Sequence, residues 1–343
     1  MFSKLSNKED TYIIAEVGQN HQGSLKEALK YIDIFSALGA DAVKFQMRSN
    51  KSLFHESIYS MKYESENSFG DTYGEHRESL ELKYEDFIEL SKCCKRNKVD
   101  FIITPFDLES LKKCIMLKVD ALKIASFDLG NLPLINEFSK SNLPIILSTG
   151  GGEIIQISES IKIIQKYHNN LAILHCVSHY PCPLEKVNLG KINTIRELYP
   201  DITVGLSDHF NGILTGPLAY INGARVFEKH VTFNRSNKGT DHPFSLEPDG
   251  FRKFVRDILR TPILMKSHTN EDLGEEPVFK KLGKSLTANH FIKAGNIIRL
   301  EDLDGRIIRP QEIPVRESNK VIGKRTKVDI MPGSFINYEN LEP

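Results

Sequence analysis

The chain reads as an α/β protein: a (β/α)8 TIM barrel followed by a small, mainly β, C-terminal domain. Three observations predict this. Short apolar runs alternate eight times with helical stretches, polar residues gather at the C-terminal ends of those runs, and the last sixty residues carry an internal repeat. Alternating β and α segments favour a parallel sheet with helices outside it, and eight of them favour closure over an open sheet. At 343 residues the chain is long enough for a barrel of the usual ~250 residues and one small extra domain.

Residues 12–18, Tyr-Ile-Ile-Ala-Glu-Val-Gly, form an apolar run broken only by Glu16, as expected of a strand buried on both faces. Ser24 and Glu27 have capping-box spacing. Leu25, Ala28, Leu29, Ile32 and Phe35 then keep helical spacing until Gly39 stops the helix. The second strand is 41–46 and contains Lys44. Further strands are predicted at 100–104, 121–126, 145–149, 172–178, 202–209 and 225–231, with helical stretches such as 84–97 and 154–167 between them. Glu16, Lys44, Thr104, Lys123, Ser126, Ser148, Ser178, Ser207, His209 and His230 lie toward the strands' C-terminal ends, where barrel enzymes keep their chemistry.

One long polar and aromatic insertion, 49–82, breaks the rhythm after the second strand, and loops of that length commonly act as lids or interface arms. Within it, His76 and Arg77 are candidates for substrate contact or for a solvent-facing role. Residues 1–265 are assigned to the barrel, 266–283 to a charged, aperiodic linker and 284–343 to the small domain. In that domain Ile292-Lys-Ala-Gly295-Asn-Ile-Ile298 recurs 38 residues later as Ile330-Met-Pro-Gly333-Ser-Phe-Ile336. The repeat predicts a pseudo-twofold pair of strand, glycine turn and strand.

Lys plus Arg and Asp plus Glu number 45 each. A chain without net charge has no global field for nucleic acid or an anionic membrane, so an anionic ligand must be met by locally placed cations. The N-terminus lacks the pattern of a signal peptide, and no apolar run approaches the ~18 residues of a membrane span, so the expected location is the cytoplasm. Cysteines 93, 94, 114, 176 and 182 are read as reduced thiols.

His209 and His230 end two successive strand-like runs, 21 residues apart. That is about one strand-helix repeat of a barrel, which would bring both imidazoles to the mouth of neighbouring strands. With Asp208, Glu228 and Asp241 flanking them, they suit a divalent transition metal with open positions. Lys44 and Lys123 sit on strands where a solvated lysine would be out of place.

Taken together, Ile14-Ala-Glu16-Val-Gly18-Gln-Asn20-His21, Ala42-Val-Lys44-Phe-Gln46, Thr104-Pro-Phe, Lys123-Ile-Ala-Ser126, Ser148-Thr-Gly150, His175-Cys, Tyr180-Pro, Leu206-Ser-Asp-His209 and Glu228-Lys-His230 resemble the sialic acid synthase family over nearly the whole chain. That family makes N-acetylneuraminate and its bacterial relatives, legionaminate and pseudaminate. The last sixty residues resemble the antifreeze-like (SAF) domain. The resemblance implies condensation of phosphoenolpyruvate with an N-acylated amino-sugar. His209 and His230 would hold a divalent metal, Mn²⁺ first, with Mg²⁺ or Co²⁺ as alternatives. Lys44, Thr104, Lys123, Ser126, Ser178 and Ser207 would bind phosphoenolpyruvate. Asp128, Tyr180, Asp241 and Arg309 would bind the sugar, with Arg309 acting in trans in a domain-swapped homodimer. Glu16 is the candidate for managing the water that the reaction takes up. Three positions depart from the family pattern: Asp128 stands for Glu, Ser178 for Asn, and Arg309-Pro310-Gln311 lacks the glycines of the usual loop. A metal-dependent barrel hydrolase acting on an N-acyl or phosphate group is the alternative reading. Such a site commonly has a further carboxylate or histidine ligand and has no need of two inward lysines.

Overall fold

A computed structural model describes residues 10–267, 274 and 276–343. The chain divides into two compact units, Met1–Lys266 and Ser267–Pro343. In the first, eight parallel strands close into a barrel in sequence order. They are β1 Tyr12–Gly18, β2 Ala42–Met47, β3 Asp100–Pro105, β4 Ala121–Ile124, β5 Ile145–Ser148, β6 Leu171–Cys176, β7 Thr203–Asp208 and β8 Val226–His230. Closure comes from β1 pairing with β8, in a register that sets Glu16 opposite His230.

Strand periodicity sorts the side chains into two cores. Residues pointing outward, such as Ile13, Ala15, Val43, Phe45, Ile103 and Phe227, pack against the helices. Those pointing inward, Tyr12, Ile14, Ala42, Ile102, Ala121, Ile146, Ala172, Leu174 and Val226, fill the barrel interior. Every side chain of β1 through β8 is buried except that of Gln46, which is half-buried, and this is why the strands read as near-continuous apolar runs.

The helix Leu25–Ala37 buries Ala28, Tyr31, Ile32 and Phe35 and ends before Gly39, whose φ of +101° falls in the left-handed region. Its cap is only half of the expected box. The Ser24 hydroxyl accepts from the Glu27 amide at 3.3 Å, but the Glu27 carboxylate pairs with Lys30 at 2.7 Å rather than reaching back.

The predicted strands overshoot at their C-terminal ends. Ser126 falls in a short 3-10 turn, Ser126–Asp128, and Ser178 and His209 lie just beyond β6 and β7. At these places the chain leaves the ladder and opens into loops. The insertion is not structureless: it holds helices Asn50–Leu53, Glu56–Tyr59 and Tyr73–Leu80, the last with a complete Thr72/Glu75 capping box. Its core is His76, with ring centroids of Tyr63, Phe69 and Tyr73 at 4.6, 6.0 and 6.0 Å.

In the second unit, β9 Ser285–Ala288 pairs antiparallel with β10 Leu303–Arg306. The repeat is visible as paired structure: Ile292 and Ile330 exchange backbone hydrogen bonds at 2.9 and 2.8 Å, and Ile292, Ile298, Ile330 and Ile336 share one core. Gly295 and Gly333 occupy matching left-handed turns, at φ +84° and +78°. Outside β9 and β10 the described residues hold isolated bridges, 3-10 turns and two short helices, Pro277–Leu282 and Ser318–Val321, so regular strand is sparser than the repeat predicts and part of the expected linker is helical. All five cysteines are free and buried. No helix of the described residues is long and apolar enough to cross a membrane.

Candidate active site

Above the apolar filling, the barrel's inward positions turn ionic. Glu16 on β1, Lys44 on β2, Lys123 on β4 and Glu228 on β8 are each at least 96% buried, a density of charge that persists only when the groups are paired. Lys44 Nζ lies 2.8 Å from Glu16 Oε2 and 3.7 Å from Glu228 Oε1, and Lys123 Nζ lies 3.9 Å from Glu228 Oε2. Hydroxyls complete the layer. Lys44 donates to Thr104 at 3.1 Å, Lys123 to Ser148 at 2.6 Å, and Ser207 to Glu228 at 3.2 Å.

The environments of the two carboxylates pull them apart. Burial, with the nearby charge of Glu228, raises the Glu16 carboxyl above its ordinary value despite Lys44. Burial acts the same way on Glu228, but the two lysines and two histidines around it outweigh burial and hold it ionised. The lysines differ too. For Lys44 the two carboxylates overcome burial and raise its pKa, whereas for Lys123 burial wins and lowers it. A raised carboxylate beside a fixed one is the arrangement in which one group moves protons and the other supplies charge.

His209 and His230 stand at the rim with ring centroids 5.3 Å apart. The His209 Nδ1 is 3.0 Å from the carbonyl oxygen of Val177, which only accepts, so Nδ1 carries the hydrogen and Nε2 keeps its lone pair. On His230 the buried Nδ1 has no hydrogen-bond partner, and Asp241 Oδ2 lies 3.6 Å away. Burial lowers the His230 pKa, favouring the neutral ring that ligation requires. Tyr180 packs 4.2 Å from the His209 ring, and Phe244 packs 5.0 Å from His230. Among the described residues no group of three or more His, Cys, Asp and Glu side chains is arranged to hold a metal. Two imidazoles with available nitrogens at the cavity are donors of the kind a divalent ion would use, and its other positions would be left to substrate or water.

A cavity of about 340 Å³ joins these features, lined by Glu16, Lys44, Lys123, Glu228, His209 and His230 among others. Comparison with known proteins decides what it belongs to. The NeuB family model matches residues 31–270. The chain belongs to the NeuB family. It is 32% identical to the N-acetylneuraminate-9-phosphate synthase of Homo sapiens, over 96% of this chain and 92% of that one. It is also 32% identical to the N,N'-diacetyllegionaminic acid synthase of Legionella pneumophila, over 96% and 94%. Among solved structures, the N-acetylneuraminic acid (sialic acid) synthetase of Leptospira borgpetersenii superposes with a TM-score of 0.69 at 31% identity, covering 78% of this chain and 91% of that one. The hydrolase alternative finds no support among these relatives.

In this NeuB-family barrel, Thr104, Ser126, Tyr180, Ser207 and Asp241 all line the cavity with the ionic layer. Ser178 does not. Its buried, unpartnered hydroxyl lies beside Gly150, where a Cβ would collide with both Ser178 and Ser126. Asp128 is also outside the lining, accepting from Asn131 at 2.9 Å. Arg309 belongs to the second unit, where it donates to the Lys281 carbonyl oxygen at 2.6 Å. Asp208 does not flank the imidazoles. Strand alternation turns Ser207 and His209 inward and Asp208 outward, into a buried ion pair with Lys229 at 2.6 Å.

The sequence reading stops short of Gln46 and Arg48 as site residues, names Glu228 only as a flank of the imidazoles, and leaves Arg77 between substrate contact and solvent. Gln46 donates to Glu16 at 2.8 Å and accepts from Arg48 at 2.5 Å. The signal for three of them was the period of two itself: Lys44, Gln46 and Arg48 alternate along one face, as do Glu228 and His230. At Gly18, with φ +57°, an added Cβ would be strained by its backbone and would crowd the side chains of Asp241, Glu16 and Gln46.

Proposed function

We propose that this chain is a phosphoenolpyruvate-dependent nonulosonate synthase, a transferase. Carbon 3 of phosphoenolpyruvate bonds to the aldehyde carbon of an N-acylated hexosamine, water adds at carbon 2, and phosphate leaves by C–O cleavage, giving a nine-carbon 2-keto sugar acid. One observation carries the reading: two inward lysines, two carboxylates of opposite tendency and a pair of imidazoles with available nitrogens line a single cavity. The synthase relatives named above support it.

Lys44 and Lys123, with Thr104, Ser126 and Ser207, receive the phosphate and carboxylate of phosphoenolpyruvate, and Ser178, expected among them, stands outside the cavity lining. A divalent metal held by His209 and His230, Mn²⁺ first, would polarise the sugar aldehyde as a Lewis acid. Glu16, with its raised carboxyl and its hydrogen bond from Gln46, takes the proton of the incoming water. Glu228 stays charged, orienting both lysines and supporting positive character that builds on carbon 2. Tyr180 and Asp241, which line the cavity, meet the sugar. We further propose a cytoplasmic homodimer in which the second unit, read as an antifreeze-like (SAF) domain, delivers Arg309 in trans.

Incubation with phosphoenolpyruvate, Mn²⁺ and a panel of N-acylated hexosamines tests the reaction. Phosphate release that requires both substrates, with a product mass equal to their sum plus water minus phosphate, is the expected result. Phosphate release from either substrate alone would overturn the reading. Arg309→Ala is expected to raise the KM for sugar while sparing that for phosphoenolpyruvate.

A further inference from the structure

The catalytic cavity is lined mainly by charged and hydrogen-bonding side chains, but three phenylalanine or tyrosine rings also reach it: Phe106, Phe127 and Tyr180. Two of these rings are engaged by the protein itself. The Arg48 guanidinium lies 4.0 Å over Phe106, and the Tyr180 ring packs 4.2 Å from His209 and 5.5 Å from Phe244. Phe127 differs from both. Among the described residues no ring or cation packs against it, and at 72% exposure it is the most exposed aromatic side chain of those residues.

A lone apolar side chain on a protein surface needs no special account. Phe127 calls for one because it faces the cavity from a turn that is pinned at several points. It is the middle residue of the 3-10 turn Ser126–Asp128, which follows β4 and its buried Lys123. The Asp128 amide donates to the Ala125 carbonyl oxygen at 3.0 Å, and the Leu129 amide to that of Ser126 at 3.3 Å. The side chains on either side are tied as well: the Ser126 hydroxyl accepts from the Gly150 amide at 2.9 Å, and Asp128 accepts from Asn131 at 2.9 Å. With its flanks fixed in this way, the turn presents the ring at the cavity, where a ligand can take the apolar surface out of water.

We propose that Phe127 is a specificity-determining residue whose ring packs against a methyl group of the acceptor sugar. This rests on the synthase reading, in which the lysines hold phosphoenolpyruvate, a molecule dominated by its anionic oxygens, so that apolar surface enters the site chiefly with the acceptor. An N-acylated hexosamine brings a methyl at the end of its acyl group, and a 6-deoxy sugar brings another at carbon 6. Either one complements an aromatic face, whose negative quadrupole meets the weakly positive hydrogens of the methyl. A hydroxyl in the same place would lose water without gaining a hydrogen bond from the ring.

The test is steady-state kinetics with phosphoenolpyruvate and two matched pairs of acceptors: N-acetylmannosamine against N-glycolylmannosamine, and 6-deoxy-N-acetylmannosamine against N-acetylmannosamine. In at least one pair the methyl-bearing member should have a kcat/KM higher by about fivefold or more. The pair that responds tells whether the methyl belongs to the acyl group or to carbon 6. Phe127→Ala should remove the preference by raising the KM for the methyl-bearing sugar, with the KM for phosphoenolpyruvate unchanged, and Phe127→Leu should keep part of it. No preference in either pair overturns the proposal, as does a preference that survives Phe127→Ala or a variant that loses affinity for phosphoenolpyruvate as well. Sedimentation of the natural chain and of Phe127→Ala should agree; a shift would mean that the ring is covered by a second copy instead. Saturation-transfer NMR on the same sugars separates this contact from the reading beneath it. If no acceptor releases phosphate, the synthase reading fails; saturation of one methyl that Phe127→Ala abolishes still upholds the contact, and its absence rejects it.

Discussion

The lower and upper halves of the barrel interior are built on the same eight strands yet obey different rules. Below, Tyr12, Ile14, Ala42, Ile102, Ala121, Ile146, Ala172, Leu174 and Val226 close the core with apolar bulk. Two residues further along β1, β2, β4 and β8 the same inward face carries Glu16, Lys44, Lys123 and Glu228. The lower half stabilises by excluding water. The upper half is tolerated because each charge has a partner, and it keeps that arrangement at a cost in stability that apolar residues would not incur. Function is concentrated in the half that is thermodynamically the more expensive.

Variants that break this contrast should differ in kind. His209→Ala and His230→Ala are expected to reduce turnover by about a thousandfold or more and to abolish metal uptake, with the unfolding transition unchanged. Metal analysis and denaturant melts check this, and full activity in either variant removes the metal assignment. Lys44→Met should cost about 3–5 kcal/mol of stability as well as activity, since Glu16 and Glu228 lose their common partner.

A buried imidazole outside the ionic layer offers a pH-dependent version of the comparison. His21 is 3% exposed, with its ring 6.0 Å from Phe45, and burial and the charge of Arg48 lower its pKa from 6.5 to about 4. Its folded-state pKa lies below the unfolded one, so its contribution is complete above about pH 6.5 and is lost as the pH falls toward 4. That amounts to roughly 3 kcal/mol. Unfolding free energies from pH 7 to 4 should fall more steeply for the natural chain than for His21→Gln, and parallel curves would refute this. The smallest effect belongs to the lower half: Ile146→Val should cost about 1 kcal/mol and leave kcat/KM unaltered.

Much of this arrangement was legible beforehand for reasons that can be named. Strands buried on both faces leave unbroken apolar runs, so a lysine or glutamate within one, such as Lys44 or Glu16, announces an inward ionic position. The same logic carried on to Gln46, Arg48 and Glu228, where the period of two was the available signal. Asp208 was misplaced because adjacency in sequence was read as adjacency in space, although neighbours on a strand face opposite ways. Arg77 gave no such signal: it reaches the cavity from a helix whose position depends on the aromatic cluster around His76.

What the sequence by itself determined is the alternation of strand and helix, the inward face of each strand and the repeat that builds the second unit. These follow from local periodicity and from glycine turns, which need no knowledge of distant neighbours. Only the tertiary structure decided that β8 closes on β1 with His230 beside Glu16, that the Val177 carbonyl selects the tautomer of His209, and that Arg77 joins Arg48 at the rim. Those are meetings between segments far apart in the chain, and closure and packing set them, whereas residue preference acts over only a few neighbours.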